Sequence, residues 1–177
     1  IGIYMNQMNY KNIKKCRICG SRDLTKVISF PKQFLSPTFV KSNKNNKLSN
    51  IKVPLTVVLC NKKVNPDNCG LLQLKETTNP DLLYKKYFYK SSTNDTMKKD
   101  LQEVVRDIEK HVKLLPNDII VDIGSNDNYT LSLFSKKLTR IGIEPAKNIS
   151  FTEFDSTIQT VNDYFSQKSL KRVIGDK

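Results

Sequence analysis

The chain has 177 residues, with 30 Lys and Arg against 17 Asp and Glu, a formal charge of +13 with its one histidine neutral. Apolar residues make up 38% and Trp is absent, enough for one ordinary domain or two small ones with modest cores. This composition excludes collagen-like, disulfide-dense and wholly disordered chains, and no apolar run approaches a membrane span. The first residues lack the apolar stretch of a secretory signal, so the expectation is a soluble cytoplasmic protein with no membrane partner.

The charge is unevenly placed. Residues 1–60 hold 11 basic and 1 acidic side chain, 61–117 hold 11 against 8, and 118–177 hold 8 against 8. A basic first third predicts a polyanion-facing surface, or simply a solvated lysine-rich face. Aromatic residues are not regularly interleaved with the basic ones, so nucleic acid is not the favoured partner.

In chain order, strand-like pieces are expected over 26–30 and 53–59, separated by an exposed polar loop over 41–50. Pro54 confines the start of the second strand to a sheet edge. Asn79-Pro80-Asp81 opens a turn, and Leu82, Leu83 and Tyr87 recur at roughly helical spacing. The strongest helix pattern runs over 93–115, where Val104, Ile108, Val112 and Leu115 form one apolar stripe before Pro116. The period then changes. A buried parallel strand is expected over 118–123, a helix over 130–138, a strand over 140–144, a third strand over 157–161 and a last helix. Alternating strands and helices predict an α/β fold with half of a doubly wound sheet. The expected domains are 1–75, small and β-rich; 76–116, a helical connector; and 117–177, a partial Rossmann-like sheet.

All four cysteines fall in the first 70 residues: Cys16, Cys19, Cys60 and Cys69. A CxxC turn delivers two thiolates from one tight loop, and a glycine follows both Cys19 and Cys69. Structural zinc is the leading reading, with free thiols and disulfides as the alternatives. The eight residues between Cys60 and Cys69 exceed the usual two of a zinc ribbon, and are expected to loop out through Pro66, Asn65 and Asn68.

Asp122-Ile-Gly-Ser-Asn-Asp-Asn128 sits between a predicted strand and a predicted helix, and Glu144 closes the next strand. Gly124 lets the backbone turn close to a ligand, while a carboxylate at Glu144 can accept both hydroxyl protons of a ribose. G-x-G-x-x-G is absent, which argues against a dinucleotide pyrophosphate. A turn rich in carboxylates suits a cationic nucleoside such as S-adenosylmethionine (SAM), or is a plain strand–turn–helix.

Cys16-Arg-Ile-Cys-Gly-Ser, Cys69-Gly-Leu-Leu-Gln-Leu, Tyr84-x-x-Tyr87-Phe-Tyr-x-Ser91, Thr96-Met97, Val121-Asp-Ile-Gly-Ser-Asn-Asp127 and Gly142-Ile-Glu-Pro-Ala146 occur in this order. Together they resemble the SAM-dependent C-methyltransferases of nucleotide-linked deoxysugars. The resemblance implies zinc on Cys16, Cys19, Cys60 and Cys69; a SAM turn of Asp122, Gly124, Asn126 and Asp127; Glu144 on the ribose; and Asp163 near the adenine. It places Tyr87 and Tyr89 on the substrate side, with a packed aromatic face as the alternative. It also implies a catalytic base and a sugar-binding portion beyond this chain, so that the chain is truncated or split and inactive alone. His111 does not match that base.

The family has glycine where this chain has Asn128. An oligomer or partner chain covering the incomplete sheet is expected. The competing function is a non-enzymatic, zinc-stabilised binding module for a nucleotide, nucleic acid or protein.

Overall fold

The computed structural model describes residues 9–35 and 51–175; the loop expected over 41–50 lies outside them. The chain forms two compact units, Ile1–Leu83 and Tyr84–Lys177. None of the helices among the described residues is long and apolar enough to cross a membrane.

The first unit is built from antiparallel strands. β1 (Tyr10–Asn12) pairs with β5 (Glu76–Thr78), and β2 (Leu24–Phe34), β3 (Lys52–Cys60) and β4 (Leu72–Leu74) form a sheet in the order β2-β3-β4. β4 pairs with Val57–Leu59, so among the described residues β3 around Pro54 has a strand partner on the β2 side alone. That is where a proline lacking its N–H is tolerated. Among the described residues its buried apolar side chains are few: Cys16, Val53, Val58 and Cys60, beside the buried polar Thr56, Asn68, Gln73 and Glu76. A core this small needs a staple, and two of its four members are cysteines.

α1 (Pro80–Tyr84) ends the first unit and leads into the second, in which a 3-10 turn spans Ser91–Thr93 and α2 spans Asp95–His111. There follow β6 (Ile119–Ile123), α3 (Tyr129–Ser132), β7 (Thr139–Ile143), β8 (Gln159–Val161) and α4 (Gln167–Ile174). The three strands are parallel, in the order β6-β7-β8. Alternate residues of β6 face opposite sides: Ile120 packs with Val105, Phe134 and Leu138, and Val121 with Ile141, Ile143, Val161 and α4. The chain is thus mixed α/β, with a β-rich first part, a helix and a parallel sheet.

Several expected elements differ. The helical spacing through residues 82–89 yields only α1, and Tyr87, Phe88 and Tyr89 lie in non-helical chain beyond it. The helix expected over 130–138 stops at Ser132, whose hydroxyl donates to the Tyr129 carbonyl at 2.6 Å. No helix joins β7 to β8: Pro145 follows the strand, and Asn162 Nδ2 donates to both Glu144 O (2.7 Å) and Ala146 O (2.8 Å), holding the chain irregular.

α2 forms within the expected span, with Asn94 capping the Thr96 and Met97 N–H groups. Its expected apolar stripe is not its buried face, however. Val104, Ile108 and Val112 are exposed, and Val105 is the residue packed on Phe134 and Leu138.

Candidate metal centre and ligand pocket

Cys16 and Cys19 sit on the turn between β1 and β2, Cys60 ends β3, and Cys69 precedes β4. Two hydrogen bonds close the first turn: the Gly20 N–H donates to Cys16 O (3.1 Å) and the Cys16 N–H to Ser21 O (2.7 Å). Gly20 and Gly70 take φ of +73° and +77°, a region where a side chain would be strained. The four Sγ atoms lie within 4.8 Å of one another, with Cys16–Cys69 and Cys19–Cys60 both at 3.5 Å. A tetrahedral zinc with Zn–S of about 2.3 Å sets its sulfurs about 3.8 Å apart, so the cluster has the right dimensions. All four are free cysteines at non-bonded separations.

The long spacing between Cys60 and Cys69 is absorbed by asparagines. Asn61 Oδ1 accepts the Lys63 N–H (2.9 Å), Asn65 Oδ1 accepts the Asp67 N–H (3.0 Å), and Asn68 Nδ2 donates to Asn61 O (2.8 Å). These side-chain turns fold the insert onto itself, and the Cys60 N–H still reaches Leu71 O at 2.9 Å.

The thiols are electrostatically unequal. The Cys19 backbone N–H, with help from Ile18 and Gln73, lowers the Cys16 pKa to about 6. Gln73 Nε2 donates to that sulfur at 3.2 Å and is itself fixed by Arg17 through Oε1 (3.2 Å). The Ser21 N–H lowers Cys19, whereas burial, then Cys19, pushes Cys60 up to about 12. Four convergent thiols with N–H donors aimed at their sulfurs are the donor set of a closed structural zinc site, with no open position for chemistry.

In the second unit the chain turns sharply after β6. Gly124, Asn126 and Asn128 take φ of +80°, +51° and +64°, and asparagine tolerates this region better than other side chains. The turn's N–H groups are engaged within the protein. Gly124 donates to Ile143 O (2.8 Å), Asn126 to Glu144 Oε2 (2.9 Å), Asp127 to Asn126 Oδ1 (3.0 Å) and Asn128 to Ser125 O (2.9 Å). It is therefore no phosphate cradle.

Glu144, 5% exposed, also accepts the Ala146 N–H through Oε1 at 2.8 Å. A carboxylate offers about four acceptor sites, so one remains on each oxygen. Burial, and then the Glu144 charge, raise the pKa of Asp122, so this end of the sheet favours a cationic or hydroxyl-donating ligand.

A strap of chain, residues 85–92, is tied over these loops by backbone-directed bonds. The Lys147 N–H donates to Lys85 O (3.0 Å) and Asn148 Nδ2 to Tyr87 O (2.7 Å). Asn126 Nδ2 donates to Tyr89 O (2.9 Å), and its Oδ1 accepts the Ser91 N–H (3.0 Å). Asp127 Oδ2 accepts the Ser92 N–H (3.1 Å). Between strap and sheet lies a pocket of about 310 Å³, bordered among others by Tyr84, Tyr87, Gly124, Glu144, Tyr164 and Phe165.

Of the residues singled out from sequence, Gly124, Asn126, Glu144 and Tyr87 border this pocket, and Asp122, Asp127, Asp163 and Tyr89 do not. Asp127 is fully buried and holds the Ser92 and Tyr129 N–H groups. Asp163 pairs with Arg172 at 2.9 Å and accepts the Tyr164 N–H, which together lower its pKa. Tyr89 contributes its carbonyl to the strap tie. His111 lies exposed on α2, bonded through Nδ1 to Asp107 O at 2.7 Å. Sequence reasoning missed the walls Tyr164, Phe165, Ile123 and Ile143. Their one signal is position, at or just beyond the C-terminal ends of parallel strands.

Residues 16–84 match the model of a family described as "Putative zinc binding domain". The chain is 27% identical over 150 residues to C-methyltransferase NovU of Streptomyces niveus, an alignment covering 84% of this chain and 34% of that protein. The chain thus spans about a third of the relative's length.

Proposed function

We propose that the chain serves SAM-dependent C-methylation of a nucleotide-linked sugar, a reading supported by the match of residues 16–84 to a zinc-binding-domain model and by the similarity to a C-methyltransferase. Zinc staples the first unit, and the pocket at the C-terminal ends of β6 and β7, in a Rossmann-like half sheet, takes the methyl donor. The observation that carries this reading is Glu144. It is a buried carboxylate at the end of the neighbouring strand, bonded to the turn that Gly124 opens, with one acceptor site left on each oxygen and apolar walls beside it. That arrangement suits the two hydroxyls of a ribose.

SAM, when bound, supplies an electrophilic methyl group on a cationic sulfur. The chain's residues bind and orient. Glu144 accepts the ribose hydroxyls, Gly124 leaves room beside the turn, Ile143 and Phe165 exclude water, and Asn126 and Asp127 hold the strap that carries Tyr87. C-methylation also needs a base to remove a proton beside a sugar carbonyl. We assign none among the described residues, where His111 is turned to solvent on α2.

The test is calorimetric titration of SAM and its demethylated product into the zinc-loaded chain and into Glu144→Gln. Saturable binding by the wild-type chain that is lost in a Glu144→Gln protein still folded and zinc-loaded supports the reading. A folded, zinc-loaded protein that binds neither compound overturns it and returns attention to a non-enzymatic binding module.

A further inference from the structure

We propose that Asn148, an exposed residue in the loop after β7, is a positioning residue of the pocket beside Glu144, holding Tyr87 to the pocket wall from outside. All the groups involved lie in the second unit. The inference rests on the function proposed above only in naming the methyl donor as what the pocket takes.

The strap depends on being tied. None of its residues, 85–92, has a buried side chain, and apart from the 3-10 turn that begins at Ser91 it contains no helix or strand. A segment with so little buried surface opens at small cost unless bonds to its backbone hold it. Those bonds fall at two places. Asn126 and Asp127 hold the far end, at Tyr89 O and the Ser91 and Ser92 N–H groups. The near end carries Tyr87, which borders the pocket. There the Lys147 N–H reaches Lys85 O, and Asn148 Nδ2 donates to Tyr87 O at 2.7 Å, the shortest of these ties.

Asn148 itself does not border the pocket. An exposed asparagine ordinarily closes its own turn by bonding the chain two residues on. Asn61, Asn65 and Asn79 do so here. Asn148 instead reaches across 61 residues to the strap. Its loop is pinned on both sides: Ala146 is fully buried, its N–H held by Glu144 Oε1 and its carbonyl by Asn162 Nδ2, and Ile149 is buried beyond. The carboxylate assigned to the ribose and the amide that seats Tyr87 thus stand four residues apart on one fixed segment. Tyr87 also packs with its neighbours. Its ring centroid is 6.4 Å from that of Tyr84, a second member of the pocket wall, and 5.6 Å from that of Phe88. Freeing the Tyr87 carbonyl therefore loosens two aromatic residues of the wall together.

The test compares four zinc-loaded chains at neutral pH: wild type, Asn148→Ala, Asn148→Asp and Ser150→Ala. Asn148→Asp keeps the shape but presents no N–H to Tyr87 O, and Ser150 is an exposed control in the same loop. Ring resonances of isotope-labelled tyrosine are followed by NMR without ligand. SAM and its demethylated product are then titrated by calorimetry.

We expect the Tyr87 ring resonances to move toward solvent-exposed values in both Asn148 variants, with those of the sheet unchanged. Both compounds should bind about three- to tenfold more weakly to these variants, the span of one hydrogen bond. Ser150→Ala should match wild type in both readouts.

Tyr87 resonances that keep their wild-type positions in Asn148→Ala overturn the proposal without any ligand. So does unchanged affinity despite moved resonances, which means that the pocket works with the strap loose. Wild-type behaviour of Asn148→Asp overturns it in favour of shape, and shifts spread through β6, β7 and β8 overturn it in favour of a general structural role. If the wild-type chain binds neither compound, the function proposed above fails, and the ligand-free ring resonances still decide whether Asn148 seats Tyr87.

Discussion

Glu144 accepts the backbone N–H of Asn126 at 2.9 Å, so the acid at the end of β7 shapes the glycine turn that follows β6 as well as facing the pocket. Its other oxygen holds the Ala146 N–H. Removing the side chain therefore strands two buried donors, at a cost of about 1–3 kcal/mol each. Glu144→Ala should lower the chemical-denaturation midpoint and also abolish donor binding, whereas Glu144→Gln keeps one acceptor oxygen but turns its NH2 toward the other buried donor, and should lose about half as much stability. Urea curves for both variants check this. Equal stability of Glu144→Ala and wild type would mean that the turn holds its shape without the carboxylate.

The zinc centre gives a pH prediction with a definite sign. Thiolates bind the metal, so every thiol still protonated must release its proton on uptake. Cys16, with its pKa lowered to about 6, is mostly thiolate at pH 7.4, while Cys60, pushed up to about 12, is not. Zinc affinity should therefore rise with pH between 6 and 8, and fewer protons should be released per zinc than there are cysteines. Titration in buffers of different ionisation enthalpy counts those protons. Chelation, or Cys60→Ser, should remove hydrogen-exchange protection from the first unit and spare the parallel sheet, because the first unit has so little other core.

Much of the metal centre is legible in the sequence because its geometry is local: Cys16, Cys19 and Gly20 make one turn, and asparagines able to fold their own backbone fill the interval before Cys69. Gly124 and Glu144 are legible for a similar reason, since a sharp turn after a strand needs glycine and few positions there admit an acid. The strap is a different case. LLYKKYFY has helical spacing, but its Tyr87 and Tyr89 carbonyls are claimed by Asn148 and Asn126, and the Ser91 and Ser92 N–H groups just beyond it by Asn126 and Asp127, all far away in sequence. The stripe of α2 has the same weakness. Periodicity at Val104, Ile108 and Val112 announces a helix, yet burial depends on what Phe134 and Leu138 reach, and they reach Val105.

Arg140 and Asp155 should make the second unit acid-sensitive. Arg140 Nη2 bonds Asp155 Oδ2 at 2.9 Å with both side chains buried. The Thr157 hydroxyl and N–H, then Arg140, hold the Asp155 carboxyl well below the usual carboxylate range. A depressed carboxylate contributes stability that is fully present above its unfolded pKa of about 3.9 and is lost as pH falls through the folded value. Asp155→Asn should accordingly lower the denaturation midpoint at pH 7, with the gap to wild type closing below pH 4. A gap that persists unchanged to pH 3 would remove the charge from the explanation.

Gly142, in the middle of β7, is held to a missing side chain by packing and not by backbone conformation. A Cβ there would sit against Asn128 Oδ1 and Ser125 Oγ. Neither oxygen has a hydrogen-bond partner among the described residues, and both are buried. Asn128 cannot retreat easily, because its Nδ2 donates to Thr160 Oγ1 (2.7 Å) and Phe151 O (3.1 Å). Ser125 belongs to the turn that Glu144 shapes. Gly142→Ala should therefore cost about 1–3 kcal/mol of overpacking and displace the turn. Donor affinity should fall with it, although residue 142 does not border the pocket. Ile141→Val, on the opposite face of the same strand, is the control: about 0.5–1.5 kcal/mol of stability lost with affinity kept. Urea denaturation and SAM titration of the two variants separate a local steric effect from general weakening of β7. An affinity loss shared equally by both would assign it to the strand as a whole.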